Sequence, residues 1–366
     1  MHFSAILLSG RQQPWNPVPS NSRSDWDAGV SMSGVLPASL ACVELFGQSI
    51  LERTVARFAK AGLHNISVIA ASDCISFHET NEVRIAAPKH AEDRWSSVKR
   101  ALLKDLQRGI QTVLVAELGA YVELDLPAAL QFHRAKAQPV TPIHDRMGSL
   151  SYWIVEAAQV LSCADFSFPP DEDRIINAPI PFEVRGYVNR LANPRDFRYL
   201  VQDAFLGRCS IAPAGREVKP GVWIDQGARV HKTARLVAPS YIGCNTRVQP
   251  GAVVTRGSNL ERNCNVGEGS LVSDASLFPH TMIGRGLDVS TALVNGDGFV
   301  DLGRNVSLRI DDPNLISNVP PVKQHVPAYL PEFAEADRRT LDFDPEDSNY
   351  FARAKGRLLE VFRGEV

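Results

Sequence analysis

The first residues able to do chemistry lie in Leu7–Pro17, LLSGRQQPWNP, directly behind the apolar run FSAILL. A strand followed by a glycine-bearing loop is where many nucleotide-binding folds hold phosphate, because glycine lets backbone N–H groups approach an anion unobstructed. Leu8, Ser9, Gly10, Arg11 and Gln12 are therefore the candidate nucleotide-binding residues. The loop has a single glycine, and Pro14 and Trp15 stand where flexibility or charge would be expected, so it reads as a phosphate loop with its charge handling reduced. Glu117 and Glu123 are the carboxylates nearest a later strand end, and His231 and His280 are candidates for general-base work. A lone surface histidine is more often inert. The six cysteines are scattered without a CxxC pair, which argues against zinc and for a reduced, cytoplasmic protein.

These candidates must be positioned by two regions of different period. Up to about residue 210, strand and helix patterns alternate. Strands are expected at FSAILL, ISVIAA and TVLVAEL, and helices at Ser49–Leu63, at DRWSSVKRALLKDLQRG and at LPAALQFHRAKA. This spacing predicts a parallel α/β sheet covered on both faces. Asn193 with Pro194 reads as a helix cap, and a structural role is expected for Trp95, Trp15 and Trp26.

From about residue 215 an apolar residue recurs every sixth position: Ile224, Val230, Leu236, Ile242, Val248, Val254, Leu260, Val266, Val272 and Phe278. A small residue follows four places after each of the first nine, from Ala228 to Ser276; the phase slips by one at Ile283 and Val289, and Val300 and Val306 follow later. Three such hexads make one turn of a β-solenoid, with aliphatics inward and small residues at corners. Residues 221–310 would supply nearly five turns, the N-terminal end being covered by the α/β domain. NGDG at Asn295–Gly298 is a turn signal. The chain from 313 is a proline-rich connector leading to a helical segment, in which Tyr350, Phe351, Ala354, Leu358 and Val361 or Phe362 fall on one stripe.

An α/β domain followed by hexapeptide repeats resembles the sugar-nucleotide pyrophosphorylases, particularly the mannose-1-phosphate guanylyltransferase branch, over about residues 1–310. The resemblance implies a Rossmann-like nucleotide-diphospho-sugar transferase domain (1–210), a left-handed parallel β-helix (215–312), and a connector with a C-terminal helical tail (313–366). The family's loop G-G-x-G-T-R-L-x-P aligns on Ser9–Pro17, keeping Gly10 and Pro17 but placing Gln12 at a glycine and Pro14 at the arginine. ACVELFGQSILE resembles the family's LxPxxGxxxLE segment, and the family's lysine falls at Leu40 or Ser39. The metal-binding aspartates fall at Gly119, in AELGAYVELDL, and at Arg190, in GYVNRLANPRDF. An arginine replaces a hard oxygen ligand by a cation. Glu117, two residues before Gly119, is the nearest substitute. The E-K-P sugar motif has no counterpart, and Arg146–Ile175 is short for the usual sugar-binding segment.

The resemblance therefore implies a scaffold without its chemistry, with no catalytic residues and no resident cofactor, magnesium entering only if the protein is active. The expected role is a regulatory or assembly subunit with a sugar nucleotide as candidate ligand. Its expected partners are a second copy of itself or an active paralogue, met through the repeats. The alternatives are an active nucleotidyltransferase and a hexapeptide-repeat acyltransferase using His231 or His280. A net charge of -2 and the lack of a long apolar run give no support for nucleic acid or membrane as partner.

Overall fold

The computed structural model describes residues 3–9, 39–63, 65–69, 83–86, 94–162 and 179–319, all within one compact unit that runs to Val319. Its N-terminal part is built on β1 (Phe3–Ser9), β4 (Ile66–Ile69), β5 (Val83–Ala86), β6 (Thr112–Leu118), β8 (Val140–Asp145), β9 (Gly148–Glu156) and β10 (Phe182–Glu183). These form a seven-stranded sheet in the order β10-β8-β9-β6-β1-β4-β5. The expected parallel pairing holds for β5-β4-β1-β6. The other side departs from it, since β9 runs antiparallel to both β6 and β8. The cause is a hairpin. Asp145 Oδ1 accepts from Met147 N at 2.7 Å, and Gly148 takes φ +115, which suits glycine.

Helices cover both faces, as expected. Ala5 and Leu7 of β1 pack with Leu51 and Phe58 of α1 (Ile50–Lys60) and Ala129 of α3 (Leu126–Lys136). Ile6 and Leu8 point the other way, toward Val98 and Leu102 of α2 (Arg94–Gln107) and Val160 of α4 (Ala157–Ser162). Local chemistry sets the starts. Ser49 and Glu52 form a reciprocal cap on α1, and Asn193 and Asp196 do the same for α5 (Pro194–Phe205), with Pro194 in its first turn. Trp95 packs edge-on against Trp153 at 6.2 Å between centroids, a structural role; Trp15 and Trp26 lie outside the described residues.

The repeat region contributes strands to three sheets. The first contains β12 (Arg216–Lys219), β13 (Val222–Ile224), β16 (Ser240–Ile242), β19 (Ser258–Leu260), β22 (Ser276–Leu277), β25 (Ala292–Asn295), β26 (Gly298–Asp301) and β27 (Val306–Arg309), in that order. The second contains β14 (Arg229–Val230), β17 (Arg247–Val248), β20 (Asn265–Val266), β23 (Thr281–Ile283) and β28 (Ile316–Asn318). The third contains β15 (Arg235–Leu236), β18 (Val253–Thr255), β21 (Leu271–Ser273) and β24 (Asp288–Ser290). Partners are in parallel register at the expected spacing: Ile224, Ile242 and Leu260; Val230, Val248 and Val266; Leu236, Val254 and Val272. Ile242, Val248, Val254, Leu260, Val266 and Val272 share one buried core, and the small corner residues Thr246, Ala252, Ser258 and Ser270 are buried.

Four expectations need correction. The phase slips earlier than Ile283: Leu260 is opposite Leu277, not Phe278, because the corner between Val272 and Leu277 is one residue shorter. Phe278 instead packs outside the repeat core against Phe197 of α5, at 5.2 Å between ring centroids. Val300 and Val306 do not prolong the coils. The chain reverses at Asn295–Gly298, and β25, β26 and β27 form an antiparallel meander. Residues 313–319, expected in the connector, include β28, which runs antiparallel to β23. Finally, the N-terminal part lies across the outer face of the first repeat sheet rather than over its end. Tyr241, Asn259, Ser276 and Leu293, successive outward positions of that sheet, are all buried, and Tyr241 and Leu293 share a core cluster with Phe46, Phe197 and Leu200. Among the described residues, the N-terminal edge of that sheet is paired only with β12, which is exposed throughout.

Candidate functional site

Strands β1, β4 and β6 end at one edge of the seven-stranded sheet, and β8, being antiparallel to β9, ends there too. The carboxyl ends of parallel strands are where open α/β sheets bind ligands. Leu8 is fully buried in the core, between Ile69 and Glu117, and Ser9 is the last residue of β1, opposite Leu118. Gly10, Arg11 and Gln12 lie outside the described residues, as do Pro14 and Pro17.

Beyond β6, the two-stranded pair β7 (Tyr121–Val122) and β11 (Val188–Asn189) sets Asn189 opposite Tyr121. The pair brings the segment that leads into Arg190 against the segment that follows Gly119. Two segments far apart in sequence are thereby placed side by side at the sheet edge. Close packing holds them: a Cβ on Gly186 would meet Glu123 O at 2.1 Å. Arg190 is engaged rather than free. Its Nε and Nη2 donate to Asp145 at 2.9 and 2.5 Å, and Nη2 also donates to Gly148 O at 2.9 Å. The guanidinium hydrogen bond holds the Asp145 carboxyl below its usual range. This fork fixes the β8–β9 turn to the segment after β11.

The remaining carboxylates are dispersed. Glu117 is half-buried in β6. Glu123 Oε1 accepts from Tyr121 Oη at 2.9 Å and Ser210 N at 2.5 Å, so it anchors the loop after α5. Asp125 caps α3. Among the described residues, no group of three or more His, Cys, Asp or Glu is placed to hold a metal ion. The residues at positions 119 and 190 do not fit magnesium, since one has no side chain and the other is a cation paired to the nearest aspartate. Ser39 caps a short 3-10 helix, Leu40–Cys42, and Leu40 packs against the core.

The two histidines sit at separate coil corners. His231 is exposed, its Nδ1 2.9 Å from Thr233 Oγ1. His280 takes φ +65, and burial, with Arg262 nearby, lowers its pKa. Cys42, Cys209, Cys244 and Cys264 form no disulfide. No helix of the described residues is long and apolar enough to cross a membrane.

Sequence reasoning missed a buried polar network between the α/β part and the repeats. Arg198 of α5 donates to Asn259 Oδ1 (3.0 Å), Ser276 Oγ (2.7 Å), Gly257 O (3.0 Å) and Asp274 Oδ1 (2.8 Å). Asn259 Nδ2 in turn donates to Glu261, whose two oxygens accept from Phe46 N and Gly47 N, both at 2.9 Å. Those N–H groups belong to the turn between β2 (Glu44–Leu45) and β3 (Gln48–Ser49). Burial raises the pKa of Glu261 and pushes Glu44, paired with Arg262, up to about 7. The available signal was a pair of charged or amide residues, Asn259 and Glu261, flanking the inward Leu260 where a solvated face would be expected.

No protein-family model and no curated protein matches the chain.

Proposed function

We propose that this chain is a diverged, non-catalytic relative of the sugar-nucleotide pyrophosphorylases. Its α/β part would be a nucleotide-diphospho-sugar transferase-like domain and its repeats a left-handed β-helix. The observation that carries this reading is the pairing of β7 with β11. It joins the two segments that carry positions 119 and 190, which the resemblance makes metal aspartates, and this supports the reading. The chemistry at that place is reversed, since Arg190 neutralises Asp145 where two carboxylates would gather a divalent cation. Phosphoryl transfer depends on positioning and charge stabilisation. Losing one stabilising group typically costs ~10²–10³ in rate, and here four such positions have changed.

The protein would act as a regulatory or assembly subunit that binds a sugar nucleotide at this edge and meets its own kind or an active paralogue through the repeats. The test is pyrophosphate release from a panel of nucleoside triphosphates and sugar 1-phosphates with magnesium, alongside thermal shift with the matching sugar nucleotides. The expected result is a thermal shift without turnover. Turnover at an enzyme-like rate refutes the non-catalytic reading, and absence of both leaves assembly without ligand.

A further inference from the structure

The first repeat sheet ends in an edge strand with unusual properties. Among the described residues, nothing pairs with the outer edge of β27. Ile310 N donates to Asp297 O at 2.9 Å, and Leu308 and Val306 lie opposite Phe299 and Asp301 in the same register. Antiparallel ladders bond at alternate residues, so the backbone groups of Val306, Leu308 and Ile310 face β26, and those of Ser307 and Arg309 face outward, unpaired. Natural edge strands are usually protected by proline, lysine or a bulge. Val306–Arg309 has none of these, and its one charge is turned back, with Arg309 Nε 3.3 Å from Asp297. The strand also carries apolar surface. Leu308 continues the inward column of Val294 and Phe299, yet it is 50% exposed, and Val306 is 39% exposed.

We infer that β27 is a self-association edge, and that its partner is β27 of a second copy of this chain, joined antiparallel about a two-fold axis at Leu308. In that register the Ser307 and Arg309 N–H groups of each copy donate to the Arg309 and Ser307 carbonyls of the other. All outward groups are then satisfied by the same short segment. Leu308 meets Leu308, and Val306 meets Ile310, so the apolar face closes on itself. Beyond the strand, the same register brings the turn that carries the exposed Arg304 of one copy, 3.4 Å from its own Asp301, toward the segment that carries the exposed Asp311 and Asp312 of the other. A two-fold contact of this kind closes and does not propagate. The result is a continuous sheet running from one set of repeats into the next.

This inference gives the assembly part of the proposed function a partner and a surface, but it rests on the strand edge alone. Its failure leaves the thermal-shift test of ligand binding intact. The experiment is sedimentation of the full chain in the micromolar range. The wild type should sediment at twice the 40.1 kDa chain mass. Ser307→Pro removes an N–H that no bond among the described residues uses, and proline is tolerated at such an edge position. It should give a monomer with unchanged circular dichroism. Leu308→Cys provides an independent readout that does not require that variant to fold. Non-hydrogen-bonded antiparallel neighbours have Cα atoms ~4.5 Å apart, which suits a disulfide. The variant should therefore form a covalent dimer under mild oxidation, at a level the wild type, with its own cysteines, does not reach. A monomeric wild type, a dimer that survives Ser307→Pro, or Leu308→Cys crosslinking no better than wild type overturns the inference.

Discussion

Replacing Arg198 by methionine tests whether the α/β part and the repeats are held by the buried polar network. Arg198 is buried, and its guanidinium supplies hydrogen bonds to Asn259, Ser276, Gly257 O and Asp274. Methionine keeps most of the aliphatic volume and removes every donor. Breaking a buried ion pair by deleting one partner costs roughly 3–5 kcal/mol, because the other charge is left uncompensated. Asp274 retains 29% side-chain exposure and can rehydrate, so the lower end, about 3 kcal/mol, is expected. With an unfolding entropy of ~2.1 cal/mol/K per residue, a unit the size of Met1–Val319 has about 0.7 kcal/mol/K, and the loss amounts to roughly 4 °C in Tm. Differential scanning calorimetry reads it directly. Arg198→Lys, which keeps the charge but not the planar fork, should fall between methionine and wild type. Asp274→Asn, alone and combined with Arg198→Met, should show a coupling of about 1 kcal/mol or more. A shift below about 1 °C for Arg198→Met, or full additivity with Asp274→Asn, would refute the argument that this network carries the interface.

Other consequences follow from single side chains. The raised pKa of Glu44 means the folded state holds its proton above the pH at which the unfolded chain releases it. Stability contributed by this group is complete below about 4.5 and is lost as pH rises to about 7. Glu44→Gln should therefore raise Tm at pH 8 and change it less at pH 5; an equal shift at both values would remove Glu44 as the cause. Gly47 sits at φ +81, and an added Cβ would lie 2.8 Å from Tyr241 Oη and 3.1 Å from Ala214 Cβ. Gly47→Ala should thus cost about 1–3 kcal/mol in urea unfolding, from left-handed strain plus overpacking. Phe278→Ala should cost about 3–5 kcal/mol, as for a buried aromatic. Phe278→Ala should also change the near-UV signal of the Phe197 cluster, whereas a loss confined to the repeats would contradict its place outside their core.

The parts of this fold that follow a period were legible in the sequence. TVLVAEL is a strand over the expected residues, the third helix spans Leu126–Lys136, and the capping by Asn193 and Pro194 follows from side-chain chemistry alone. The hexad pattern gave the spacing of the parallel ladders because each inward residue must repeat at the coil length. What stayed hidden depends on long-range pairing. The β8–β9 hairpin was missed because its Asp-Arg-Met-Gly turn lies between apolar runs that read equally well as a buried parallel strand. In the sequence Arg190 marks the loss of a ligand, but its bidentate hold on Asp145 is invisible there, since the two residues, 45 positions apart, are brought together only by the folded strands. Phe278 kept the six-residue period by coincidence, and periodicity cannot distinguish an inward residue from an outward one once a corner has lost a residue.

That shortened corner links the repeat to the rest of the molecule. Val254 and Leu260 are separated by Thr255, Arg256, Gly257, Ser258 and Asn259, whereas Val272 and Leu277 are separated by Ser273, Asp274, Ala275 and Ser276. The register makes Ala275 take the corner place of Ser258, since Ala275 N bonds Ser258 Oγ at 3.2 Å, and it sets Ser276 opposite Asn259. Were the same residues, with none added, to span a full-length corner, Phe278 would fall opposite Leu260 and Leu277 opposite Asn259, facing α5. An apolar side chain there would leave the Arg198 guanidinium without Ser276. The shorter corner also carries Asp274 in a left-handed conformation, φ +49, with its carboxylate 2.8 Å from Arg198. The shorter corner and the strand that follows it thus supply both the charged and the neutral acceptor that Arg198 uses. The corner also leaves Phe278 free to pack on Phe197. The same shortening recurs between Val289 and Val294, where it keeps Leu293 on the outward ladder and inside the cluster with Phe197 and Leu200. The interruptions of the period therefore lie where the repeat must present a particular face to the α/β part, and the uninterrupted hexads lie where only the repeat core has to be filled.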